Sequence, residues 1–219
     1  MAAGPRRLLV VPLGSLEQHG PHLPLDTDTR IASAVAAQAC ASRPGVGLAP
    51  PVAVGASGEH ADFPGTLSIG TAALTTLLVE LGRHASLHWP AMLLVNGHGG
   101  NVPAITAAVR ELRAEGRECH VWHADVPGGD AHAGRTETSL MLALAPDDVL
   151  LAAAAPGETR PLPEIMPALR ARGVRAVSPN GVLGDPGGAS AAEGERLLGA
   201  LVAGLSETLD KLLAGGIDD

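Results

Sequence analysis

Tyrosine is absent from this 219-residue chain, and the only other aromatic rings of that class are Phe63, Trp89 and Trp122. A core must therefore be built from Ala, Leu and Val, and the stacking platforms on which single-stranded nucleic acids are held are excluded. Basic residues are also in deficit: 15 Lys and Arg stand against 23 Asp and Glu, a formal charge of −8. That is the wrong sign for tracking a phosphate backbone and a favourable one for collecting cations. No apolar stretch approaches the ~18 residues that span a bilayer, so no membrane partner is expected. Arg6-Arg7 followed by Leu8 to Val11 imitates a secretion signal, but Pro12, Glu17 and His19 interrupt it. Cys40 and Cys119 are isolated, which fits two small core residues in a reducing compartment and argues against a disulfide or thiolate site. The expectation is a soluble, cytoplasmic protein.

What is present is an alternation of short apolar runs and helical periodicities with Gly and Pro between them, the signature of βαβ units. The runs Leu8–Leu13, Val46–Val54, Met92–Val95 and His120–Ala124 read as strands, with Pro50 and Pro51 placing the second at an edge. Helices are expected from just after Asp28 to Ala39, across Leu74–Leu81, across Ile105–Leu112, around Leu140–Leu144 and over Glu193–Leu213. The Pro- and Gly-rich stretch 146–188 is too long for a plain loop and should hold short elements or a functional lid. No repeat or linker divides the chain, so one domain over 1–219 is expected. Its sheet should be mainly parallel and covered on both faces, with ligands bound outside the carboxyl ends of the strands.

The polar residues cluster at that edge. Glu17-Gln18-His19-Gly20-Pro21-His22 follows the first strand, Asn96-Gly97-His98-Gly99-Gly100-Asn101 the third, and Asp130-Ala131-His132-Ala133-Gly134 with Glu137 the fourth. Glu17 and His19 are two apart and, in extended chain, address one location. Asp28, read as a helix N-cap, has a second oxygen free for a metal or for bridging two ions. Mixed carboxylate and imidazole donors suit Zn, Fe or Mn. His60, after the second strand, is on the correct edge with no role fixed. A serine nucleophile elbow and a phosphate loop both fail on spacing, which leaves a metal-activated water as the economical nucleophile.

These motifs, together with His132-Ala133-Gly134 and Glu137-Thr138-Ser139, resemble the creatininase family of metal-dependent amidohydrolases from about Leu8 to Leu144 and more weakly to the end. The resemblance implies a three-layer α/β/α sandwich, usually hexameric, with two divalent ions per chain. By motif position Glu17 and His98 would hold one ion, His19 the other, and Asp28 would bridge them. Creatinine amidohydrolase carries a tyrosine and a metal-ligating glutamate directly after the histidine of its third motif. Gly99 and Gly100 stand there in this chain, so Glu137 is the candidate second-ion carboxylate, and creatinine is disfavoured as substrate.

Within the family the chain looks most like a peptidase that trims the modified carboxyl end of a ribosomal precursor peptide. His132 would give a proton to the leaving amine, with Asp130 or backbone orienting its ring, and Arg135 or Arg175 would clamp the peptide's terminal carboxylate. The rivals are a formamide deformylase of the same family and a non-catalytic metal-holding scaffold.

Overall fold

The computed structural model describes residues 6–215. Four strands, β1 (Leu8–Leu13), β2 (Val46–Leu48), β3 (Ala91–Asn96) and β4 (Glu118–His123), form one parallel sheet in the order β2-β1-β3-β4. Successive residues of a strand face opposite sides, and the two central strands show why both sides are apolar. Leu8, Val10, Leu93 and Val95 join a core with α1 (Thr27–Cys40), α4 (Arg135–Leu144) and α6 (Ala191–Ala214). Val11, Leu13, Met92 and Leu94 join a second core with α2 (Gly70–Ala85) and α3 (Val102–Ala114). The result is the expected α/β/α sandwich. Among the described residues no helix is long and apolar enough to cross a membrane.

β2 stops at Leu48, well short of the expected Val54, because Pro50 and Pro51 cannot donate to a ladder; only an isolated bridge from Val52 to Leu13 continues the pairing. Asp28 is not a cap: α1 begins at Thr27, and Asp28 lies buried in its first turn. Asp130 does not orient His132 either. Its carboxylate accepts from the backbone N–H of Thr136 at 3.0 Å and from that of Arg135, so it caps the free donors at the start of α4.

The stretch 146–188 holds a real helix, α5 (Leu162–Arg172), and two short 3₁₀ turns. Pro163 is tolerated in the first turn of α5 and Pro167 lies inside it, so tertiary packing must hold the helix. That packing is a separate small cluster in which Ile165 and Leu169 meet Val174 and Leu183. The stretch then returns to the sheet edge, where Leu183 N–H donates to the His132 carbonyl at 2.8 Å.

Candidate metal centre

The loops leaving β1, β3 and β4 bring Glu17, His19, Asp28, His98, His132 and Glu137 together at the carboxyl edge of the sheet. Asp28 is central. Its Oδ1 lies 3.0 Å from His19 Nε2, and its Oδ2 lies 3.2 Å from His98 Nδ1 while accepting from Ser15 Oγ–H at 2.7 Å. Glu17 Oε2 is 3.1 Å from His98 Nε2, and Glu137 Oε2 is 3.8 Å from His19 Nε2. The two oxygens of Asp28 thus point toward two neighbouring groups of donors.

Neither carboxylate oxygen of Glu17, which is fully buried, has a hydrogen-bond partner. A buried carboxylate without donors is costly, and a cation at that place removes the cost. Three donor sets are close enough to share an ion: Glu17, His19 and Asp28; His19, His132 and Glu137; and Glu17, His60 and His132. The oxygen and imidazole donors are those that Zn, Mn and Fe accept. Backbone carbonyls aim two of the rings. His19 Nδ1 is 3.0 Å from the Glu17 carbonyl and His132 Nε2 is 2.8 Å from the Gln18 carbonyl. A carbonyl only accepts, so each ring carries a proton on that side and directs its other nitrogen toward the carboxylates.

The electrostatics follow from burial and crowding. Burial pushes Glu17 up to about 7 against the pull of His98, and burial pushes Glu137 to about 7 as well. Burial opposes charge on His19, but Asp28, with Glu137 and Glu17, outweighs it and raises the imidazole to about 10. His98 is likewise held well above its ordinary value, burial being outweighed by Glu17, Asp28 and Glu59. Asp28 is held well below the carboxylate range, its burial offset by His19 and His98. Burial, then the neighbouring His19 and His60, lowers His132 well below the usual histidine value. The ion-free protein therefore balances its carboxylates with imidazolium protons, which a metal would displace.

Two members of the cluster were not assigned from sequence. His60 Nε2 lies 3.3 Å from Glu17 Oε1, and Glu59 Oε1 lies 3.4 Å from His98 Nε2. Glu59 occupies room that Gly100 leaves: a Cβ on Gly100 would collide with Glu59 Oε1 and His98 Nε2. The signal available in the sequence was the position of Gly58-Glu59-His60 after the second strand, on the same edge as the other motifs. Of the remaining histidines, His22 is buried against Thr138 Oγ1 at 2.9 Å, His123 is 3.2 Å from Asn96 Nδ2 and His120 pairs with Glu118 at 3.4 Å.

A cleft of about 790 Å³ opens onto one side of the cluster. Glu59, His60, His98 and His132 line its polar end, and Met166, Leu169 and Arg170 of α5 line its roof. Neither of the arginines expected to clamp a carboxylate lies there. Arg135 Nε is paired with Glu193 at 2.7 Å on a different groove, and Arg175 bonds the Asp62 carbonyl at 2.7 Å with its guanidinium over Phe63. Arg170 is the arginine on the cleft.

The creatinine amidohydrolase family model matches residues 2–209. The mycofactocin precursor peptide peptidase of Mycolicibacterium smegmatis is 56% identical over 210 residues, covering 93% of this chain and 85% of the relative. A solved manganese creatininase superposes with a TM-score of 0.76 at 31% identity, covering 96% of this chain and 92% of that one. A zinc-zinc form of a mutant creatininase gives 0.75, also at 31% identity, with 94% and 90% covered.

Proposed function

Because the chain belongs to the creatininase family and is a hydrolase of amide bonds, we propose that it is the peptidase that releases the modified Val-Tyr dipeptide from the carboxyl end of the mycofactocin precursor peptide. The observation that carries the chemistry is the donorless, buried Glu17 carboxylate directly behind His60, His98 and His132, which line the cleft. The substrate assignment is supported by the 56% identity to the mycobacterial peptidase over 93% of the chain.

In this reading two divalent ions (Zn, Mn or Fe) are held per chain. Glu17 and His98 would hold one and His19 and Glu137 the other, with Asp28 between the two groups of donors. Such ions lower the pKa of water and polarise an amide carbonyl. The protein's own groups do the rest. Ser15 fixes the rotation of Asp28 through its hydroxyl. His132, neutral and with its Nδ1 lone pair 3.7 Å from Glu17 Oε1, accepts a proton and returns it to the leaving amine. Met166 and Leu169 shed water from the apolar part of the peptide, and the chain works as a closed oligomer, by family resemblance a hexamer.

The test is incubation of metal-loaded protein with the modified precursor peptide, creatinine and a formamidopyrimidine, scored by mass. Loss of a dipeptide from the first alone is expected. Deformylation without peptide cleavage would replace the substrate assignment, and turnover unchanged after chelation would end the metal-dependent reading.

A further inference from the structure

His60 meets a different kind of partner from His19 and His132. Its Nδ1 lies 2.8 Å from the side-chain nitrogen of Gln18. The orientation of that amide is set at both ends: the Gly20 backbone N–H donates to Gln18 Oε1 at 2.9 Å, and the Gly181 carbonyl accepts from Gln18 Nε2 at 3.1 Å. Rotating the amide by half a turn would lose both bonds. Gly181, with φ +82°, packs its bare Cα against the amide, where a Cβ would collide with it.

Gln18 Nε2 also lies 3.2 Å from His132 Nε2, but that nitrogen carries the proton facing the Gln18 carbonyl and cannot accept, so the two amide hydrogens go to the Gly181 carbonyl and His60 Nδ1. His60 Nδ1 must then be an acceptor, which places the ring proton on Nε2. That N–H lies 3.3 Å from Glu17 Oε1, on the wall of the cleft.

We propose that Gln18 is a positioning residue that fixes the His60 ring proton on Nε2, so that His60 presents an N–H and not a lone pair beside Glu17 on the cleft side and takes no metal ion. Without that constraint His60, Glu17 and His132 would form a third ion-sized donor set beside the other two. With the proton fixed on Nε2, the set lacks one lone pair. Glu17 Oε1 then faces an imidazole N–H at 3.3 Å and Oε2 faces His98 Nε2 at 3.1 Å, so an ion shared with His98 is favoured over one shared with His60. The consequence for catalysis rests on the two-ion reading above; the tautomer does not.

The experiment is a long-range ¹H–¹⁵N correlation spectrum of the full chain with ¹⁵N-labelled histidine, recorded ion-free and zinc-loaded, with the His60 ring assigned by its disappearance in His60→Gln. The proton is expected on Nε2 in both states, while His19 and His98 shift on adding zinc. A proton on Nδ1, or a zinc-bound Nε2, overturns the proposal. Failure of zinc to bind the wild-type chain would instead count against the two-ion reading and leave the ion-free spectrum as the test of the tautomer. In Gln18→Glu, a carboxylate facing Nδ1 should draw the proton there, and zinc per chain should exceed the wild-type value. If that variant does not fold, two His60 variants decide. His60→Ala should keep the wild-type zinc content and lose about 10- to 100-fold in turnover, and His60→Gln, whose amide nitrogen sits near the Nε2 position, should recover most of it. Loss of zinc from His60→Ala, or no recovery in His60→Gln, refutes the donor role.

Discussion

Glu17, His19, Asp28 and His98 stand on segments that leave β1 and β3 or open α1, where the backbone is buried between two apolar layers. Met166, Leu169 and Arg170 reach the same cleft from α5, a proline-interrupted helix fastened by a small cluster of its own. The floor is thus fixed by the main core and the roof by a satellite. Floor residues have little freedom to relax around a changed charge, which concentrates the chemistry there. The roof can open without unfolding the sheet, since regions with few buried apolar contacts have low local stability. Substrate choice belongs to the part that can adapt, and bond breaking to the part that cannot.

The harshest test of this contrast is Asp28→Asn. Losing the charge that serves both donor groups should remove both ions and cut turnover by more than about 10³-fold, several kcal/mol of barrier, with the circular dichroism unchanged; elemental analysis and a mass-based assay read it. Glu137→Gln strikes one side only. It should keep the fold and lose one ion of two, with turnover down by about 10²-fold, and retention of both ions would return Glu137 to a helix-start role.

On the roof, Leu169→Ala should cost about 2–3 kcal/mol locally. Because its cluster is separate from the sheet cores, that cost should surface as faster amide exchange in α5 and a raised KM, with ion content intact. A lowered Tm for the whole chain with unchanged α5 exchange would merge floor and roof into one unit. The smallest effect is expected from Arg170→Ala: a KM increase of about two- to fivefold (~0.5–1 kcal/mol) for the free-acid peptide, absent for its amidated form.

Legibility in the sequence divides along the same line. β1 and β3 were readable because their period-two burial leaves continuous apolar runs, and the motifs after them inherit the rule that parallel sheets bind at their carboxyl edge. α5 was not readable as a helix, since Pro163 and Pro167 spoil its local preference and only Ile165 and Leu169 meeting distant Val174 and Leu183 hold it. The place of Asp28 was right and its local role wrong: a cap and a first-turn residue differ by a position or two in sequence but by a great deal in burial. Glu59 was missed because the space it fills is created by Gly100, forty-one residues later, a complementarity that no local pattern encodes. The clamp arginines failed for the same reason, Arg135 being claimed by Glu193 and Arg175 by Asp62 and Phe63.

The contact between Gly181 and Gln18 spans 163 residues of chain. During synthesis the amino-terminal motif emerges early, yet the carbonyl that orients its amide is made late, and a domain folds as a unit once its parts are available. Maturation of the centre therefore waits for the segment around Gly181 to leave the ribosome, and a nascent chain holding only the first three strands carries the donors of the amino-terminal motif without their final aim. The same span makes a peptide bond in the returning segment a remote control: a protease nick beside Gly181 would loosen the amide's anchor and disarm the enzyme while leaving the proposed metal ligands uncut.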